Sequence, residues 1–150
     1  MSTMMQILMY TIDGQFYGLP VSAVQRVTFA AEITHIPNAP TTILGMLNMQ
    51  GDVMPVVNMR MKCQAVERPI RISDRFIIIK VKQHLLALLV DDVREIIDFS
   101  SDEIIQSGVH TIADVVKSGN DLVLIHQLDN FFAVECEASI CELVHHDNKI

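Results

Sequence analysis

The residues best suited to chemistry lie near the end of the chain, where Cys136, Cys141, His145, His146 and Asp147 offer thiol, imidazole and carboxylate groups in close succession. Four such groups converging tetrahedrally would hold zinc. On a helix Cys141 and His145 share a face, but Cys136 points roughly 140° away, given about 100° per residue. A zinc site would need the helix to bend or end there, so the expectation is inert thiols and no metal. Asp91, Asp92 and Glu95 form the densest carboxylate cluster. Paired carboxylates can exchange protons or bind a cation, but at a predicted helix start capping is the expected role. His35, His84, His110 and His126 are scattered and read as surface or turn residues. No nucleophile elbow, phosphate-cradling glycine loop or His-Glu-x-x-His helix occurs. The chain reads as a non-enzyme without a cofactor.

The elements that must position these residues are bounded by composition. Half of the 150 residues are hydrophobic, enough for a sizeable core. A net charge of -7, with no basic run or stripe, excludes nucleic acid as a main partner. The apolar run from Met4 to Ile12 is broken by Gln6 and falls well short of the roughly 20 residues that span a bilayer. It has neither the basic start nor the cleavage site of a signal peptide. Three cysteines, Cys63, Cys136 and Cys141, make no disulfide framework, and a cytoplasmic location without membrane insertion is expected.

The chain repeats itself at a shift of 69 residues. Tyr10, Ile12, Phe16, Gly18, Leu19, Val21, Val24 and Val27 fall on Ile79, Val81, Leu85, Ala87, Leu88, Val90, Val93 and Ile96. Ile43, Met46, Leu47, Val53, Met54, Val56 and Met59 fall on Ile112, Val115, Val116, Leu122, Val123, Ile125 and Leu128. Each unit reads as two strands and a short helix, with Ser22 and Asp91 as equivalent N-caps, followed by a hairpin around Gln50-Gly51-Asp52 or Gly119-Asn120-Asp121. Pro55 suggests an edge strand or a bulge. The expected organisation is one domain over 1–150: a lobe at about 6–59, a solvated connector at 60–75, a second lobe at about 76–132 and a C-terminal helix at about 133–146. In that helix Glu135 and Glu137, with His145 and His146, would complement the dipole. The methionines at 46, 49, 54, 59 and 61 are expected mainly to fill the core.

Tyr17-Gly18-Leu19-Pro20-Val21 leading to Val27, Ile36-Pro37 to Pro40, Gly45 to Asn48, Gly51 and Pro55-Val56-Val57-Asn58-Met59-Arg60 resemble the CheW family, a likeness that spans about residues 6 to 132. The resemblance implies a mainly β fold of two SH3-like five-stranded β-barrel lobes around a shared core, with a C-terminal helix. It implies a non-catalytic adaptor of two-component chemotaxis signalling. Its partners would be the cytoplasmic tip of a methyl-accepting chemoreceptor and the regulatory domain of a CheA-type histidine kinase. By resemblance the receptor surface includes Val24, Arg26, Val27, Gly45, Asn48, Gln50 and Gly51, and the kinase docks on apolar patches at the barrel ends. Two departures stand out: the family's Asn-x-Arg-Gly turn is Asn48-Met49-Gln50-Gly51 here, and Arg26 stands where the family prefers an acid. They point to a divergent paralogue in an alternative array, such as one serving type IV pili. In the turn, Gly51 is expected at positive φ and Asn48 to brace the loop through its amide. The alternative from a different class is a small metal- or redox-responsive sensor using the Cys136 to Asp147 cluster.

Overall fold

A computed structural model describes residues 4–106 and 112–138. In chain order these form β1 (Met4–Ile12), β2 (Gln15–Pro20), β3 (Val24–Phe29), β4 (Ile43–Met49), β5 (Asp52–Asn58) and α1 (Met59–Lys62). There follow β6 (Arg75–Val81), β7 (His84–Val90), β8 (Asp92–Ser100), β9 (Ile104–Gln106), β10 (Ile112–Ser118), β11 (Asp121–His126), α2 (Leu128–Phe131) and α3 (Ala133–Ala138). The fold is mainly β, with two SH3-like lobes and C-terminal helices. One sheet has the order β3-β6-β7-β5-β4 and the other β8-β1-β2-β11-β10-β9.

The 69-residue repeat reappears in the fold down to its irregularities. α1 and α2 occupy equivalent positions, as do the bulges between Ile43 and Gly45 and between Ile112 and Asp114. The pairs Val24↔Ile79 and Val27↔Ile77 have as counterparts Val93↔Tyr10 and Ile96↔Leu8. The sheets nevertheless cut the chain differently from the segments 6–59 and 76–132. Strands β1 and β2 join the later half of the second repeat, and β6 and β7 join the later half of the first. The short links explain this. Only Asp91 separates β7 from β8, too little for a two-residue hairpin, so β8 crosses over to pair with β1. Between β2 and β3 a single 3₁₀ turn, Val21–Ala23, does the same.

This exchange buries β1, β6 and β7 on both faces. Leu8, Tyr10, Ile12, Ile77, Ile79, Leu86 and Leu88 enter one cluster shared by the two sheets. Their strand neighbours point the other way, Phe76, Ile78 and Ala87 into one lobe and Ile7 and Met9 into the other. Each large side chain so buried contributes roughly 1.5–3 kcal/mol. Met54 and Met59 are buried core residues, in line with the gap-filling expected of them.

Several local expectations are overturned. Ser22 lies inside the 3₁₀ turn, whose N-cap is Pro20, and Asp91 leads into a strand, so neither caps a helix. Pro55 sits in an interior strand. Met46 opposite it gives both its N–H and its C=O to Thr34, and parallel pairing with β7 starts only at Val56, so the missing proline N–H breaks no ladder. Glu135 stands in the first turn of α3, where its charge was expected, but it is fully buried against Lys62 and Thr42 rather than facing solvent. Of the expected 133–146 helix, α3 is seen to Ala138, and Cys141, His145, His146 and Asp147 lie outside the described residues, as does His110.

One turn carries strain that its sister lacks. The β6–β7 hairpin turns on Lys82 (φ 47°) and Gln83 (φ 72°), whereas the equivalent β1–β2 turn has glycine at position 14. A left-handed non-glycine residue costs on the order of 1 kcal/mol. Gln83→Gly is expected to raise the unfolding free energy by about 1 kcal/mol, read from urea denaturation midpoints at constant m-value. An unchanged or lower midpoint would contradict the strain.

Candidate protein-binding surface

The turn between β4 and β5 is built by local chemistry. Gln50 (φ 54°) and Gly51 (φ 96°) are both left-handed, which defines a two-residue I′ hairpin loop. The Gly51 N–H donates to Asn48 Oδ1 at 3.0 Å, so the asparagine side chain closes the loop from outside the ladder. Positive φ at Gly51 and the bracing by Asn48 are thus both seen. Gln50 shares the left-handed conformation, which spacing alone did not reveal. The Asn48 and Gln50 side chains are exposed.

Gly45 has a different reason. A Cβ there would lie 2.4 Å from the carbonyl oxygen of Thr34. The chain beyond β3 runs across this strand, and Thr34 and Met46 exchange both backbone hydrogen bonds at 2.7 and 2.8 Å. Since β3 and β4 end the same sheet, this bridge closes it. Only a residue without a side chain lets the crossing segment come so near.

On β3, Val24 is half-buried against the shared core, while Arg26 and Val27 are exposed. Phe29, two residues on, is 65% exposed and carries the Arg75 guanidinium 4.1 Å above its ring. The bridge at Thr34 brings the continuation of β3 beside β4. No hydrogen bond or ion pair joins Arg26 to Gln50 among the described residues.

Exposed apolar side chains recur at repeat-equivalent places: Val53 and Leu122, each 51% exposed beside a hairpin tip, and Val27 and Ile96 on the sheet edges. They give each lobe its own apolar contact point.

Two buried polar groups escaped the sequence reading. The connector is not simply solvated. Arg60 donates to both oxygens of Asp91 at 2.8 and 2.9 Å and to Asp13 at 2.6 Å. Arg68 bridges Asp74, at 2.8 and 2.9 Å, to Asp91 at 2.9 Å. Burial pushes the Asp74 carboxyl up, but the bonds from Arg68 and the Arg71 N–H outweigh it and hold the group below its ordinary value. His126 is also buried, with its Nε2 bonded to the Tyr10 hydroxyl and its Nδ1 without a hydrogen-bond partner among the described residues. Burial, with a smaller contribution from the Lys62 charge, lowers its pKa to about 3. Neither group has a neighbour in sequence to betray it.

Of the C-terminal ligand-type cluster the structure describes Cys136, which is buried with its Sγ 4.0 Å from the Val81 carbonyl oxygen. Among the described helices none is long and apolar enough to cross a membrane.

The CheW-like domain family model matches residues 6–135. The chemotaxis protein CheW of Treponema pallidum is 21% identical over 85% of this chain and 82% of its own length. That of Bacillus subtilis is 26% identical over 80% and 81%. The crystal structure of the scaffolding protein TtCheW from Thermoanaerobacter tengcongensis superposes with a TM-score of 0.79, at 25% identity, covering 87% of this chain and 93% of the other.

Proposed function

The chain belongs to the CheW-like domain family, and from that premise we propose that it is a non-catalytic cytoplasmic adaptor coupling a chemoreceptor tip to the regulatory domain of a CheA-type histidine kinase. The observation that carries the proposal is the family match over nearly the whole described fold, whose relatives bear the names of chemotaxis and scaffolding proteins. The surface chemistry supports it. Val53 and Leu122, exposed at equivalent ends of the two lobes, suit docking of a kinase domain by apolar contact. Such a complex should persist in high salt, because burial is little screened. Titration of a kinase regulatory domain against the protein at low and high salt tests this, and a complex lost at moderate salt would rule out apolar docking.

On the receptor side, Val24, Arg26, Val27, Asn48, Gln50 and Gly51 are the proposed contacts, and Gly45, buried under the Thr34 backbone, shapes the surface rather than touching the partner. The loop keeps the family's shape through Asn48 and Gly51 while lacking its arginine, which favours a receptor outside the usual set, in an array such as one serving type IV pili. Gln50→Arg should therefore raise affinity for a conventional receptor tip. A charge-assisted contact is worth about 1.5–3 kcal/mol, or roughly ten- to hundredfold in binding. Adding Arg26→Glu should increase the gain beyond the sum of the single changes if the two positions couple. The check is titration of a receptor-tip fragment against the four variants. A double variant no tighter than the parent would refute the assignment of these positions to the receptor surface.

A further inference from the structure

The two lobes carry equivalent hollows, and the connector lies against only one of them. In the first, Leu44, Asn58, Asp74 and Leu89 line a space of about 340 Å³, and residues 67–70 of the connector form one wall. The connector is held there by side chains around the start of α1. The Asn58 amide donates to Glu67, Arg60 Nε donates to the Val66 carbonyl at 2.6 Å, and Arg68 reaches Asp74 and Asp91. At the shift of 69 residues Asn58, Arg60, Asp74 and Leu89 become Gln127, Asp129, Met5 and Pro20. These four line a second hollow, of about 280 Å³. Among the described residues no connecting segment walls it, because after α2 the chain turns inward and buries Phe132 and Cys136 in the shared core.

The second hollow keeps the holding amide and changes the charge. Gln127 Oε1 accepts from the Asp129 and Asn130 N–H groups, as Asn58 Oδ1 accepts from the Met61 N–H. The other end of the Asn58 amide holds Glu67, whereas the Gln127 Nε2 has no hydrogen-bond partner among the described residues. In the place of Arg60 stands the exposed Asp129, and Asp114, at the position of Gly45, adds a second carboxylate. Neither carboxylate has a hydrogen-bond or ion-pair partner among the described residues. The first hollow is neutralised within the chain, Arg60 and Arg68 against Asp13, Asp74 and Asp91. The second offers two carboxylates beside the apolar walls of Met5, Pro20 and Leu128, which suits a cation on an aliphatic stem. We propose that this hollow binds a short extended segment of another protein, one carrying lysine or arginine beside an aliphatic residue, much as Arg68-Pro69-Ile70 lies against the first. None of the positions proposed above for receptor or kinase lines it, so a segment seated there leaves those surfaces free.

The test is an NMR titration of the isotope-labelled full chain with an end-blocked peptide copying residues 66–72 of this protein, the probe for such a segment. Backbone signals of Met5, Gln127, Leu128 and Asp129 should move and saturate, while those of residues 58–74 stay in place because the first hollow keeps its own connector. The same peptide with Arg68→Glu and Arg71→Glu should not bind. In the protein, Asp114→Asn together with Asp129→Asn should weaken the probe by about tenfold, the combined effect of two exposed ion pairs. Added salt should weaken it for the parent as well, since exposed pairs are screened. Unchanged signals away from the hollow show that the double variant is folded. No saturable shift, shifts confined to residues 58–74, equal binding of the two peptides, or full affinity in the double variant would each overturn the proposal. Signals at the hollow that move with protein concentration alone would assign it to a second copy of the chain and overturn it equally.

Discussion

Replacing Asp91 by alanine should cost about 1.5–3 kcal/mol of folding free energy, the range for hydrogen bonds to a charged group, because Asp91 is partly buried and both arginines keep another carboxylate. Asp91 is the hub of the connector network. Its oxygens accept from Arg60 twice and Arg68 once, and from the Asp13 N–H at 2.8 Å. Without it, the Arg60 guanidinium, whose side chain is only 8% exposed, keeps one carboxylate partner on the half-exposed Asp13. Arg68 keeps Asp74. The consequence is larger than a lost contact, because the network joins the β1–β2 turn of one lobe to α1 and the connector of the other. A urea titration reads the loss. Asp91→Asn should fall between alanine and the parent, since the amide can still accept but carries no charge. A loss under 1 kcal/mol for the alanine variant would mean that water, not Asp91, satisfies the arginines.

Asp91 also shows where sequence reasoning stops. A carboxylate after an apolar strand looks like a helix cap, and arginines in a segment poor in apolar residues look solvated. What reverses both readings is the meeting of residues 13, 60, 68, 74 and 91, which no local pattern encodes. The turn at Asn48 to Gly51 is the opposite case, legible because its hydrogen bond and backbone conformation are set within four residues. The repeat, too, was legible, since alternating apolar positions survive in both halves. Its strand exchange was not, because the same alternation serves a strand whichever repeat it pairs with. The choice is made by the single-residue link at Asp91 and the short turn at 21–23. As for the binding surface, Arg26, Gln50 and Val27 carry nothing in their own types that marks a receptor contact, and only the resemblance selected them. Phe29, exposed and stacked on Arg75, went unremarked because an aromatic ending a strand ordinarily packs inward.

His126 makes the fold acid-sensitive, and the sign can be worked out. Its ordinary pKa is 6.5 and its folded value is about 3, because burial and the Lys62 charge disfavour the imidazolium. The unfolded chain therefore takes up a proton at higher pH than the folded one. Stability is complete above pH 6.5 and falls as the pH drops toward the folded value, by about 3 kcal/mol between pH 7 and pH 4. Asp74, also held below its ordinary value of 3.8, acts in the same direction but only at lower pH, so it leaves that window to the histidine. The repeat supplies the control. Where this lobe has Tyr10 and His126, the equivalent positions are Ile79 and Val57, both fully buried. The double change Tyr10→Phe with His126→Val removes the hydroxyl and the imidazole together and leaves neither unpaired, which can be nearly neutral at pH 7. Urea midpoints at pH 7, 6, 5 and 4 should then decline steeply for the parent and far less for the double variant. Equal slopes in the two proteins would place the acid sensitivity elsewhere, and a flat parent would show that the buried imidazole accepts its proton at an ordinary pH.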